Sequence, residues 1–194
     1  MTDELVDTGK RWFLTKTASI MGAVGTVVAA TPFLASMQPS AKAQAAGAPI
    51  EVDISKIEIG QKITVMWRSK PVWILRRSPD ALKSLATVAP NLRDPDSDES
   101  DQPAGAKNQG RALRDEYFVA LAICTHLGCA PTYRPEIGPA DLGSDWLGGF
   151  FCPCHGSKFD LAGRVYKGVP APKNLEIPPH YYLGDTKLLI GENA

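Results

Sequence analysis

An all-β body behind a single apolar helix is the architecture the sequence predicts, and three observations predict it. Glycine and proline are frequent, at 17 and 16 residues, which multiplies turns and leaves little room for long helices. Beyond residue 50 the apolar residues come in short runs bounded by turn formers. Residues 17–38 carry no charge and are long enough to cross a membrane. The whole chain has 194 residues, sufficient for one domain of ordinary size plus an appendage. Its 21 basic and 21 acidic residues balance, which argues against a nucleic-acid partner, because such proteins carry a basic excess.

Residues 1–12 read as a polar cytoplasmic tail and residues 13–38 as a transmembrane helix. At 1.5 Å per residue the uncharged stretch matches a hydrocarbon core of roughly 30 Å. It is rich in Ala, Gly, Val and Thr, which suit close packing beside other membrane helices. Pro32 is expected to kink it or mark its far end. Lys10, Arg11 and Lys16 precede the span and only Lys42 closely follows. The positive-inside bias therefore places the N-terminus in the cytoplasm and the body outside. A buried core helix is a poor rival, since the segment is apolar all round. A cleaved secretory signal is a better one. Ala41-Lys42-Ala43-Gln44-Ala45 has the small-x-small character of a cleavage site. Lys10-Arg11-Trp12-Phe13-Leu14 resembles a twin-arginine export signal with Lys in place of the first Arg. Such a signal suits a protein that folds before export.

Residues 39–50 read as a flexible hinge linker, with no aromatic side chain and hardly a β-branched one to pack. The body occupies 51–194. Strands are expected at 51–54, 62–67, 72–76, 117–123, 147–152, 175–177, 181–183 and 187–190. Ser78-Pro79-Asp80 has the form of a helix N-cap followed by proline in the first turn, opening a short helix to Leu85. Residues 93–110 are polar, acidic in their first half, and broken by Pro and Gly. They read as an exposed loop. The chain has no internal repeat.

All four cysteines, with two of the three histidines, fall in two short clusters. These are Cys124-Thr125-His126-Leu127-Gly128-Cys129 and Cys152-Pro153-Cys154-His155-Gly156-Ser157. Cysteines that served only core packing would scatter; clustering with histidine points to a metal, a disulfide or both. Each cluster offers one Cys and one His to a four-ligand set and leaves one Cys over. Each follows a strand-like run, so the ligands would sit in two loops at neighbouring strand ends, with glycines that let the backbone turn tightly. The competing reading is a structural zinc site with two Cys and two His. The spare Cys129 and Cys154 speak against it: they sit at matching places, one per loop, able to bridge the two, and a disulfide fits the oxidising side of a membrane.

The pair C-T-H-L-G-C and C-P-C-H-G-S resembles the two signatures of the Rieske proteins of quinol–cytochrome c reductases. Gly168-Val169-Pro170-Ala171-Pro172 resembles that family's proline-rich loop, and the helix and Ala/Gly linker match its plan. The resemblance therefore covers nearly the whole chain. It implies a Rieske-type antiparallel β-sandwich with a small cluster-binding subdomain over residues 122–172 and one [2Fe–2S] cluster. Cys124 and Cys152 would bind the inner iron; His126 and His155 would bind the outer iron through ring nitrogens. Cys129 and Cys154 would form the disulfide, and Ser157 would donate a hydrogen bond to a cluster sulfur. Gly168, Pro170 and Pro172 would shield the cluster's third side. Leu127 would pack at the quinol site beside His155, which would accept the quinol's hydrogen bond.

The implied activity is electron transfer within a bacterial quinol–cytochrome c oxidoreductase that contributes to proton translocation in respiration. The cluster would take one electron, with a proton, from ubiquinol at the cytochrome b subunit and pass it to the haem of a c-type cytochrome subunit. Menaquinol is the alternative donor. The complex would be a dimer in the inner membrane, with this chain's cluster domain on the periplasmic side, and the linker would let the head swing between its two partners.

The ligand set explains the chemistry. Two ferric ions, two sulfides and two thiolates sum to zero charge, and to −1 after reduction. An electron enters a neutral site more readily than a four-thiolate one, so potentials run higher, about −150 to +300 mV for such clusters. Hydrogen bonds to the sulfurs raise them further. Imidazole bound to ferric iron loses its remaining proton more easily and regains basicity on reduction, which couples the electron to a proton. Phe159 departs from the mitochondrial-type pattern, which has Tyr there; losing that hydroxyl donor is expected to lower the potential. A ring-hydroxylating oxygenase or its ferredoxin is the enzyme-class rival, but those relatives typically lack the two additional cysteines and are soluble. His180, Trp67, Trp73 and Trp146 read as structural, and Ser157 has no Ser/His/acid arrangement around it that would make it a nucleophile.

Overall fold

The computed structural model describes residues 7–41, 43 and 47–193. Two compact units, Met1–Ala45 and Ala46–Ala194, divide the chain. The cleavage-like stretch at 41–45 and the middle of the linker fall largely outside the described residues, as does the tail before Asp7.

In the first unit, helix α1 spans Thr8–Ser36. The Asp7 carboxylate accepts the N–H groups of Gly9 and Lys10, both at 3.1 Å, and so caps amides that have no partner within the helix. This cap draws the helical backbone out to Thr8, ahead of residue 13, while the uncharged part still begins at Thr17. Pro32 lies inside the helix. The hydroxyls of Ser19, Thr26 and Thr31 donate to the carbonyls one turn back, of Thr15, Gly22 and Val27. The helix therefore satisfies its polar side chains internally, as an apolar medium requires. Ile20, Val24, Val27, Val28 and Phe33 are exposed. By length and composition α1 suits a membrane anchor.

The second unit is built from three antiparallel three-stranded sheets. Strand β1 (Ile50–Asp53) pairs with β9 (Lys187–Ile190), which pairs with β8 (His180–Tyr182). The central sheet orders β2 (Lys62–Trp67), β3 (Lys70–Arg76) and β4 (Tyr117–Leu121). Its first hairpin turns on Arg68 and Ser69, both at positive φ (50° and 59°), the backbone a two-residue hairpin loop requires. The third sheet joins β5 (Thr132–Arg134), β6 (Gly149–Cys152) and β7 (Ser157–Phe159).

Side chains alternate across a strand, and the central sheet uses both faces. Trp73, Leu75, Phe118 and Ala120 face a core shared with Phe150, Phe159, Leu175 and Ile177. Val72, Ile74, Val119 and Leu121 face a second core shared with Ile54, Leu188 and Ile190. Strand β4 is accordingly buried along its whole length. Trp73 stacks on Phe150 at 4.7 Å and 13°, a contact that ties the central sheet to the β5–β7 sheet and is worth about 0.5–1.5 kcal/mol beyond the area it buries. Trp67 and Trp146 are also buried, as is His180, whose Nδ1 bonds the Pro178 carbonyl at 2.8 Å.

Helix α2 spans Pro79–Val88. The Ser78 hydroxyl oxygen accepts the Ala81 N–H, as expected, and the helix continues past Leu85 because Leu85 and Val88 both reach the core. Two expectations need correction. Residues 175–177 form no strand. Their backbone groups serve separate partners: the Leu175 N–H donates to Gly163 and the Ile177 N–H to Asp101, while the Glu176 carbonyl accepts from Leu121. Residues 93–110 are not simply an exposed loop. Ser97 and Ala106 are fully buried and Asp94 nearly so. The polarity that suggested solvent is turned inward: Asn174 Nδ2 donates to the Asp94 carbonyl and to the Ser97 hydroxyl.

Candidate metal centre

The two sequence clusters fold into two copies of one turn. In the first, which follows β4, the Gly128 N–H donates to the Cys124 carbonyl at 3.0 Å. In the second, between β6 and β7, the Gly156 N–H donates to the Cys152 carbonyl at 2.9 Å. Both glycines lie in the left-handed region, at φ 80° and 77°, with open space where a Cβ would stand. Backbone conformation, not crowding, selects glycine at these positions. Each turn opens on its cysteine; the histidine follows two residues later in the first turn, at His126, and three residues later in the second, at His155.

The two turns bring the two histidines together and set the two free cysteines side by side. Cys124 and Cys152 are free and 2% exposed. The His126 and His155 rings meet edge to face, with centroids 4.8 Å apart. His126 Nδ1 is buried without a hydrogen-bond partner, a costly condition for a ring nitrogen that a metal ion would relieve. A disulfide joins Cys129 to Cys154 and links the two turns. The sulfurs of Cys129, Cys152 and Cys154 lie within 4.8 Å of one another; the first and last are bonded to each other, so only Cys152 of these three is free to ligate. Burial pushes the Cys124 thiol above its ordinary range; the adjacent Cys152 sulfur adds to this, while the His126 amide and the Ser157 hydroxyl act against it. Two neighbouring thiols enclosed in this way, beside an unpartnered imidazole nitrogen, fit a cation-rich centre that takes thiolate and imidazole ligands.

Ser157 is fully buried. Its hydroxyl accepts the Ala171 N–H at 3.1 Å and, lying by the Cys124 thiol, favours its ionised form. Thr125, a position the motif reading passed over, donates its hydroxyl to the Lys173 carbonyl at 2.6 Å. The segment Gly168 to Pro172 is thereby tied to both turns. Ala171 is buried within it, whereas Gly168, Pro170 and Pro172 are exposed. Leu127 and His155 stand out at the tip, Leu127 with 72% of its surface exposed.

Phe159, fully buried, lies on β7 opposite Phe150. Just beyond it, the Asp160 carboxylate accepts the N–H groups of Ala162 and Arg164 and pairs with the Arg164 guanidinium at 2.7 Å. This buried pair was also missed; its sequence signal is an acid and a base four residues apart.

Comparison with known proteins adds three findings. The model of the Rieske [2Fe-2S] domain matches residues 102–179. A second family model, described as the ubiquitinol-cytochrome C reductase Fe-S subunit TAT signal, matches residues 2–40. The chain is 58% identical over 193 residues to the ubiquinol-cytochrome c reductase iron-sulfur subunit of Allochromatium vinosum, covering 100% of this chain and 93% of that protein. It is 42% identical over 183 residues to the protein of the same name from Bradyrhizobium diazoefficiens, covering 94% of each. Among solved structures, a chain of a hyperthermophilic respiratory Complex III is similar at 27% identity and a TM-score of 0.50, over 90% of this chain and 98% of that one.

Proposed function

Because the chain belongs to the family of ubiquinol–cytochrome c reductase iron–sulfur subunits, we propose that Cys124, His126, Cys152 and His155 are the four ligands of its Rieske [2Fe–2S] cluster. The protein is the electron-transfer subunit of a respiratory quinol–cytochrome c oxidoreductase, whose cytochrome b and c1 subunits are its partners. The observation that supports the ligand assignment is the pair of like turns, each with one free buried cysteine, whose histidine rings meet edge to face. When bound, the cluster supplies one-electron redox chemistry at a comparatively high potential.

The residues around it divide the remaining work. His155, exposed at the tip, is the ring that accepts a hydrogen bond from the hydroxyl of a bound quinol. Leu127 beside it packs on the quinol and keeps water from the proton path. The Cys129–Cys154 bridge holds the turns in register. Ser157 donates a hydrogen bond to a cluster sulfur and at the same time anchors the segment that ends at Pro172; Gly168, Pro170 and Pro172 cover the remaining side. Ubiquinol is the donor we favour, in a dimeric complex. The N-terminal helix, matched to a twin-arginine-type signal, is retained as a single-pass anchor in a bacterial inner membrane, with the head on the periplasmic side. The basic residues ahead of the span support that orientation.

EPR of the reduced, membrane-extracted protein tests the ligand set. A signal of low average g that is lost in Cys152→Ser and His155→Gln, together with copurifying b- and c-type haems, is expected. An EPR-silent protein containing zinc would overturn the assignment.

A further inference from the structure

Three arginines are buried where the β5–β7 sheet meets the rest of the head: Arg77 at 2% exposure, Arg111 at 0% and Arg164 at 1%. Arg164 has a carboxylate partner in Asp160. Arg77 and Arg111 are held by uncharged groups instead. Arg77 Nη1 donates to the carbonyls of Gly110 and Leu161, at 2.7 and 3.3 Å, and its Nε to that of Asp115 at 2.9 Å. Arg111 Nη1 donates to the carbonyls of Ala162 and Gly163, both at 3.3 Å, and its Nη2 to the Gln102 side-chain oxygen at 2.9 Å. Each keeps one buried nitrogen without a partner, Arg77 Nη2 and Arg111 Nε.

Burial pushes both guanidiniums down, to about 10, so both stay charged at neutral pH. Among the described residues the buried acids are Asp160 and Asp94, so the buried side chains carry one positive charge in excess, offset in part from the solvent side by the exposed carboxylates of Asp115 and Asp101. Asp94 is further committed to the amides of Asp98 and Glu99 and to the Ser100 hydroxyl. Satisfying the carbonyls of a turn does not require an ion; a neutral amide donor does the same at a much smaller desolvation cost.

Three of these carbonyls, those of Leu161, Ala162 and Gly163, belong to the turn directly after β7, the strand that begins at Ser157. At about 3.3 Å per residue, Asp160 stands roughly 10 Å along the chain from Ser157. Arg77 is backed by aromatic rings. Arg77 lies 5.5 Å from the centroid of Phe118, which is 5.9 Å from that of Phe150 on β6. A charge fixed behind such a layer is poorly screened by water or salt.

We propose that Arg77 and Arg111 tune the iron–sulfur centre, their unpaired positive charge favouring the reduced state and raising its potential. This rests on the cluster reading above and adds to it a charge reservoir outside the ligand shell. The test is a redox titration, followed by EPR, of the full-length cluster-loaded protein. Gln102→Glu sets a carboxylate on Arg111 with almost no change of shape, at the loss of the Nε2 donor to the Ser97 carbonyl, and the midpoint potential falls. Asp160→Asn removes the anion at the turn, and the potential rises. Arg111→Lys keeps the charge and leaves the potential in place. Loosened packing would move the two isosteric variants in the same direction, so opposite shifts identify charge. A Gln102→Glu protein with the wild-type EPR line shape and an unmoved potential overturns the proposal, whether or not Asp160→Asn assembles the centre. A wild-type protein without a Rieske signal instead overturns the cluster assignment beneath it.

Discussion

Removing one oxygen atom, in Ser157→Ala, should separate two jobs that the same hydroxyl performs. Ser157 is fully buried; it lies by the Cys124 thiol, where it is proposed to donate to a cluster sulfur, and it accepts the Ala171 N–H. Without it the Ala171 amide, itself fully buried, has lost its acceptor. That costs about 1–3 kcal/mol, read as a lower temperature at which the visible circular dichroism of the cluster is lost. The sulfur loses a donor as well. A hydrogen bond to a charged acceptor contributes about 1.5–3 kcal/mol. If half of that is specific to the reduced state, the loss corresponds to a downward shift of about 30–65 mV for a one-electron couple, in which a factor of ten is 59 mV. Voltammetry of the isolated protein measures this directly. A lowered melting temperature with an unchanged potential would refute the reasoning, because the hydroxyl would then serve only to anchor the segment around Ala171.

Four further outcomes follow from the same structure. Phe159→Tyr should raise the potential in a redox titration by supplying a new donor near a ligand sulfur; no upward shift would sink that account. Stiffening residues 38–49 with prolines should slow quinol oxidation without altering the cluster spectrum, and unaltered turnover would refute a moving head. Gly149→Ala should destabilise the head by at least about 3 kcal/mol, a cost of the order seen for overpacked sites, because its Cβ would collide with the backbone of Phe159 and Asp160; denaturant unfolding with a wild-type midpoint contradicts it. The fourth concerns pH. Burial holds His180 below its ordinary value of 6.5. The unfolded chain therefore binds the proton first as pH falls below about 6.5, and stability declines until the folded pKa is passed. Melting temperatures measured from pH 8 to pH 5 should fall less steeply for His180→Phe than for the wild type.

What the sequence disclosed, and what it did not, follows from the range over which each interaction acts. The ligand candidates were legible because a metal site needs particular atoms at short spacing, and Cys124, His126, Cys152 and His155 supply them within two hexapeptides. The β2, β3 and β9 strands were legible because their apolar runs are long for their sheets. Strands β5 and β7 were not: three residues each, Thr132–Arg134 and Ser157–Phe159, they exist through pairing with β6. Residues 175–177 misled for the opposite reason, having strand-like apolar residues without a neighbour to form a ladder. The buried arginines were the least visible. Nothing local distinguishes Arg77 or Arg111 from a solvated charge; only the fold brings the carbonyls of Leu161, Ala162 and Gly163 against them.

The pairing of β1 with β9 has a consequence for the order in which the protein is made. Ile50 lies opposite Ile190, so the first strand of the head to leave the ribosome waits for the last before it has a ladder partner. Long-range pairing of this kind folds slowly. Until it closes, the apolar side chains of β1 and of the central sheet's outer face, Val72 and Ile74 among them, lack their cover and are open to aggregation. The anchor, by contrast, is synthesised before any of the head. A translocation pathway that threads unfolded chain would begin pulling before the head could close, whereas one that accepts folded cargo gives β9 time to arrive.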